Sequence, residues 1–273
     1  MFSGFMINTW VVASIVAAVA GCVGFFVVIR GSAFAAHALP LGAFPGAAAA
    51  SFIGVNQFFG LIVFAGLGIV GILQLGRRGR PDVATALSLV TLLGLGTLFL
   101  SMTREYSQEV YALLFGQVLG IGAKDFAPVA AVGAISVAAI VTLFRPLLLN
   151  SLSPELGNAR GVSDRRSELC FLIILALATT VTLPVVGALL VFSLMVGPAS
   201  AARFFTDRPL HAMLISMGVA LVTMWSAIAL SYVSNWPIGF FVGSMSAVCY
   251  GVGRTWAWVR LSKRQATLAA DLS

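Results

Sequence analysis

Charge is what this 273-residue chain has least of: sixteen Lys/Arg and nine Asp/Glu make up 9% of its residues, where soluble domains carry about 25%. With 60% hydrophobic residues and a mean hydropathy of +1.03, a soluble globular fold is excluded and the chain is an integral membrane protein. Histidine is nearly absent, at two residues, so a multi-histidine metal centre cannot be built from one chain. Cys22, Cys170 and Cys249 stand isolated in apolar segments without paired or ligand spacing. They read as small buried hydrophobes, not as a disulfide framework. A GxxxxGK[ST] phosphate loop, an HExxH and a GxSxG are all missing. The acids lie at or near the ends of apolar segments, which removes the paired intramembrane carboxylates that an aspartyl protease needs. The chain therefore reads as no enzyme. Its net charge of +7 is not a nucleic-acid signal, because membrane proteins collect Lys and Arg in cytoplasmic loops.

What remains is apolar sequence, with room for about eight to ten spanning helices of roughly 20 residues. The 28 glycines suit helices that associate in lipid through small residues. Hydropathy predicts nine spans, over residues 8–29, 37–55, 57–75, 82–102, 125–144, 169–183, 185–201, 210–233 and 238–259. Pro40 and Pro45 are expected to interrupt the second. The stretch 111–120 is apolar but too short to cross, and is expected to be a re-entrant or interfacial helix. The first segment has no basic n-region and no cleavage site ahead of a soluble domain, so it is expected to stay as a helix. One all-helical transmembrane domain over residues 1–273 results.

Alternating nine crossings puts Arg30, Arg77, Arg78, Arg80, Arg145, residues 150–168, Arg203, Arg208 and the cluster at 260–264 on one side. Only Arg104 and Lys124 fall on the other. The crowded side is the cytoplasm, with the N-terminus outside and the C-terminus inside. The longest polar island, SLSPELGNARGVSDRRSE at 151–168, carries Glu155, Arg160, Asp164, Arg165, Arg166 and Glu168. Two readings stand for it: a connecting loop, or a docking surface for a soluble partner.

Three further features bear on chemistry. His37 is an ionisable residue near a span start, beside Pro40, and is a candidate functional group; the alternative is an interfacial histidine bonded to a carbonyl. His211, just inside a span after Pro209, reads as structural. The stretch GALLVFSLMVGPASAAR, 187–203, is rich in small residues: Gly187 and Gly197 suit close helix packing, and Pro198 is expected to bend or end its helix before Arg203.

VGALLVFSLMVGPASAAR resembles the "VGxLLVxALLVxPAATAR" segment of the ABC-type zinc/manganese permeases. SPELGNARGV resembles their cytoplasmic "xPExAxxxGV" segment, with Gly157 in place of the alanine. AGCVGFFVVIRGSAF, YALLFGQVLG and SYVSNWPIG match further segments in the same order, nearly over the full length. The resemblance implies the permease subunit of a binding-protein-dependent metal importer in the bacterial cytoplasmic membrane. Its implied partners are a second permease subunit, identical or different, separate ATPase subunits that hold the ATP, an extracytoplasmic metal-binding protein and membrane lipid. Pro154, Glu155, Leu156, Arg160, Gly161 and Val162 would form the ATPase-coupling segment, and 111–120 would sit near the external mouth. No cofactor is implied on this chain; zinc or manganese would be its cargo.

The family motif "DxxxHAxxPG" supplies an Asp and a His as pore ligands. Aligned on Pro45-Gly46, this chain reads HALPLGAFPG, with His37 at the Asp position and Leu41 at the His position. Leucine cannot ligate a metal, and imidazole suits zinc better than manganese. Three accounts stay open: a His37 pair across a dimer with weak donors such as Met195 or backbone carbonyls; a different partner permease supplying ligands; or a cargo other than a free ion, such as a chelate. A non-transporting scaffold subunit is the rival from another class.

Overall fold

The computed structural model describes residues 4–76, 80–102, 113–116 and 123–271. Among them are ten helices and no strand: α1 Gly4–Ile29, α2 Ala33–Ile53, α3 Gln57–Leu75, α4 Pro81–Met102, α5 Ala123–Leu152, α6 Pro154–Ala159, α7 Asp164–Val186, α8 Val191–Phe205, α9 Pro209–Ser234 and α10 Ile238–Asp271. Residues 113–115 are helical as well. Seven helices (α1 to α5, α7 and α9) are long and apolar enough to cross a membrane, and α8 is a shorter apolar helix.

Burial sorts the helices into two layers. In α1, α2 and α7, 72% of the apolar window is inside the protein, against 22–39% in α3, α4, α5 and α9. α1 is apolar on every face and packs against α5, α7, α8 and α9, while α2 packs on α3 and α4. A helix that is apolar all round has no face to offer water and takes the centre of the bundle. The outer helices turn residues such as Phe59, Leu67, Val90, Val141 and Val222 outward, as lipid-facing surfaces do.

Local chemistry sets the helix ends. Asn56 caps α3 by accepting the Phe58 amide at 2.8 Å. α2 stops where Gly54 turns left-handed, at φ 78°, and the Val55 amide reaches back to the Ala50 carbonyl at 3.0 Å, closing the helix in the manner of a Schellman motif.

Four expectations are corrected. Pro40 and Pro45 do not interrupt α2, which runs through both; the Pro45 ring lies against Gly96 of α4, and packing within protein tolerates the freed carbonyls. The fifth span extends beyond residue 144 through Pro146 to Leu152, so the island begins inside α5. The sixth runs from Asp164 through Pro184 to Val186, and the seventh is the 15-residue α8. Their break falls at Gly187, at φ 91°, not at Pro184. Pro198 does not end α8 before Arg203; the helix continues to Phe205.

α2 and α3 meet backbone to backbone: a Cβ on Gly46 would overlap the Gly60 carbonyl oxygen, and one on Gly60 the Gly46 carbonyl oxygen. Gly60→Val should therefore lower stability by about 3 kcal/mol, at the upper end of overpacking costs. Gly66→Ala, in the same helix with nothing within 4 Å of the added carbon, should be neutral. Thermal unfolding of both variants in detergent checks the contrast.

Candidate functional site

The polar island folds into a compact junction. Ser153 leaves α5 in an extended conformation and caps α6, with its hydroxyl accepting the Leu156 amide. Pro154 supplies the fixed φ favoured at a helix start, and Glu155 sits in the first turn. α6 is closed by Arg160 and by Gly161 at φ 79°; the Val162 amide then donates to the Gly157 carbonyl at 2.9 Å. Pro154, Glu155, Leu156, Arg160 and Gly161 are exposed, and Val162 is half-buried. Leu156 is 62% exposed, an apolar side chain presented at a charged surface.

Gly157 is the buried residue of α6. A Cβ there would lie 3.3 Å from Asn150 Nδ2 and 3.5 Å from Asn150 Cα, so α6 sits directly on the last turn of α5. Asn150 Nδ2 donates to Asp164 Oδ1 at 2.5 Å, and Asn158 Nδ2 donates to Asp164 Oδ2 at 3.2 Å. The island's two halves are thereby tied together at the start of α7.

Arg30 ties α1 to the same junction. Its Nη1 donates to Ser151 Oγ at 3.3 Å and to the buried Ser167 Oγ at 3.2 Å, and its guanidinium carbon lies 5.0 Å from the centre of the Phe171 ring. Burial lowers the Arg30 pKa, and the charges of Glu168 and Asp164 oppose that shift. Beside it opens a cleft of about 450 Å³, lined by Arg30, Asp82, Asn150, Asp164 and Glu168 among others. Sequence named Arg30 and Asp164 only as charges of the basic side and of the island, and did not join them with Asn150. A polar Asn ending an apolar run, and an Asp directly after the loop, were the available signals.

His37 lies on the second turn of α2. Its ring meets Phe192 of α8 edge-on, with centroids 5.2 Å apart. Its Nδ1 is buried and makes no hydrogen bond, so the expected carbonyl partner is missing at that atom. Leu41 is half-buried against the core. Met195 is fully buried, with its carbonyl oxygen against Gly24, so its thioether belongs to the core in this conformation. Among the described residues no group of three or more His, Cys, Asp or Glu is placed to hold a metal ion. His211 is exposed.

Gly187 and Gly116 both have positive φ and lie in backbone-to-backbone contact: a Cβ on Gly187 would meet the Gly116 nitrogen, and one on Gly116 the carbonyl groups of Val185 and Val186. The Ala188 and Leu189 amides donate to the Leu113 and Leu114 carbonyls at 2.9 and 3.2 Å. Residues 113–116 thus seal the gap between α7 and α8; the rest of the expected 111–120 helix lies outside the described residues. At Gly197 a Cβ would stand 2.6 Å from Ser246 Cβ of α10, and Pro198 is buried.

Seven helices long and apolar enough to cross a membrane, with an exposed capped helix between two of them, describe a multi-pass membrane protein. The chain belongs to the ABC 3 transport family, whose model matches residues 3–253. It is 27% identical over 248 residues to the manganese import system permease protein ScaB of Streptococcus parasanguinis, covering 90% of this chain and 88% of that one. It is also 27% identical over 188 residues to the high-affinity zinc uptake system membrane protein ZnuB of Haemophilus influenzae, covering 68% and 72%. Among solved structures it is similar to PsaBC from Streptococcus pneumoniae in complex with Fab, at a TM-score of 0.84 and 23% identity over 92% of this chain and 91% of that one. An inward-facing putative metal-chelate type ABC transporter has a TM-score of 0.74 at 14% identity, covering 91% and 85%. Both likenesses concern the fold.

Arg30→Ala removes two bonds from a charged donor, one of them to a buried hydroxyl. It should lower stability by about 2 kcal/mol, read as a drop in unfolding temperature. Arg165→Ala, at an exposed position in the first turn of α7, should leave that temperature unchanged.

Proposed function

We propose that this chain is the membrane-spanning permease subunit of a binding-protein-dependent ABC importer whose cargo is zinc, manganese or a related divalent metal ion. The observation that carries the reading is α6: a capped, exposed helix at the motif matching the family's coupling segment, seated on the ends of two long helices. Membership of the ABC 3 transport family and its manganese- and zinc-named relatives support the cargo class. ATP would be hydrolysed on separate ATPase subunits docked at Pro154–Ala159 and at Arg160, Gly161 and Val162. Closure of the ATPases would move α6 and, through α5 and α7, tilt the bundle between outward- and inward-facing states. A second permease subunit would complete the path, and an extracytoplasmic binding protein would deliver the ion to a multi-pass protein of the bacterial cytoplasmic membrane.

In this reading every helix except α6 crosses the membrane, nine in all. α8, about 22 Å long at 1.5 Å per residue, is shorter than a hydrocarbon core of about 30 Å and is completed by residues 187–190 packed on 113–116. Gly187, Gly197 and Pro198 act in close helix packing. His37 is the candidate metal contact on this chain, since its ring nitrogen is held without a partner. A chelated or organic cargo is the second reading, favoured by Leu41 standing where the family's second ligand falls.

Uptake of zinc and of manganese, offered separately to a metal-starved strain, tests both readings. Wild type should take up at least one ion. His37→Ala should abolish uptake, and Leu41→His should strengthen it or broaden it to both ions. Reversing both charges, Glu155→Arg with Arg160→Glu, should abolish uptake while the protein still inserts. Uptake unchanged in that double variant would sink the docking claim. Wild-type uptake of a metal chelate but of neither free ion would favour the second reading.

A further inference from the structure

The docking reading accounts for the outward face of α6 but not for how a six-residue helix passes force inward. A helix this short has no independent stability. It is held between Ser153 and the left-handed Gly161, around which there is open space, and rests on α5 at Gly157. That packing resists a push toward α5 but not a pivot of α6 across it, away from α7.

One carboxylate opposes that pivot. Asp164 begins α7, accepts the Asn150 amide of α5 on one oxygen and accepts the Asn158 amide of α6 on the other. Bonds to a charged acceptor are roughly twice as strong as neutral ones, and Asn150 is only 6% exposed, so its donor has little access to water. Among the described residues, the bond from Asn158 is the one side-chain hydrogen bond that joins α6 to a neighbouring long helix. Gly157 lets α6 approach closely enough to make it. Arg30 fastens the same ends of α5 and α7 to α1 through Ser151 and Ser167.

We propose that Asp164 is a positioning residue that latches α6 to α5 and α7, so that movement of α6 is passed to the bundle and not lost in the loop. The proposal rests on reading α6 as the ATPase-docking helix. Asp164 touches neither ATP nor cargo; it fixes the angle at which α6 meets the long helices.

The test uses the full permease. Hydrogen exchange of the α6 amides is followed on the permease alone, and ions transported per ATP hydrolysed on the permease with its ATPase and binding protein in liposomes. Asp164→Ala should speed α6 exchange, retain the ATPase on co-purification and lower the ions moved per ATP about tenfold, within the range of ordinary coupling energies. Asp164→Asn keeps an oxygen for the Asn150 amide and, with the Asn158 amide turned over, a neutral bond to 158 in place of the charge-assisted one, so it should weaken coupling less than Asp164→Ala. Adding Asn158→Asp makes that bond charge-assisted again, with donor and acceptor exchanged between 158 and 164, and should return exchange and coupling toward wild type. Unchanged exchange or an unchanged ratio in Asp164→Ala overturns the latch. Should Asp164→Ala not fold, the exchanged pair decides: coupling no better than in Asp164→Asn overturns it. A wild type that moves neither zinc nor manganese sinks the free-ion reading of the cargo instead, while the exchange data still judge the latch.

Discussion

A guanidinium that cannot enter hydrocarbon organises one end of this protein. α1 is one of the three most buried helices, and its last turns bury Phe25 and Phe26 against Phe144 of α5. Arg30 follows at once, where the chain must return to water. Moving such a charge inward costs several kcal/mol, so it fixes the depth of α1. Held half-buried over Phe171 and bonded to Ser151 and Ser167, Arg30 also sets the ends of α5 and α7, which carry α6. The exposed helix is therefore referenced to a deeply packed one through a few polar contacts.

Above that junction the bundle is held by contact, not by hydrophobic driving force, since lipid tails are as apolar as the helices. Glycines set the closest approaches: Gly24 on Met195, Gly46 on Gly60, Gly116 on Gly187. Such backbone contacts fix how closely each helix pair can approach. The contact of Gly187 with Gly116 differs from the others, because it brings together two glycines at positive φ where the helix is broken. It lets α7 end and α8 begin inside the protein.

Much of this was legible in the chain. The apolar runs, the polar island and the family all follow from composition and motif. What sequence misjudged were helix ends near proline. Pro40, Pro45, Pro146, Pro184 and Pro198 all lie inside helices, because neighbours in a membrane bundle hold a helix that proline would break in water. The break between α7 and α8 came instead from Gly187, whose backbone conformation only a tertiary contact with Gly116 explains. The side-chain junction at Asn150, Asp164 and Arg30 was not visible, since it joins residues up to 137 positions apart. HALPLGAFPG shows both sides: its closing Pro45-Gly46 packs on α4 and α3, while His37 and Leu41 depart from the family pair at the positions where cargo chemistry is expected.

The central claim is that α6 and the start of α7 move as one body when the ATPases close. Spin labels at Leu156 and Arg165, both exposed, with Cys22, Cys170 and Cys249 replaced by alanine, report the distance between them in the assembled transporter. The account predicts the same narrow distance distribution without nucleotide and with ATP trapped. A distribution that shifts or broadens on trapping ATP would show α6 swinging on its own, and would contradict it.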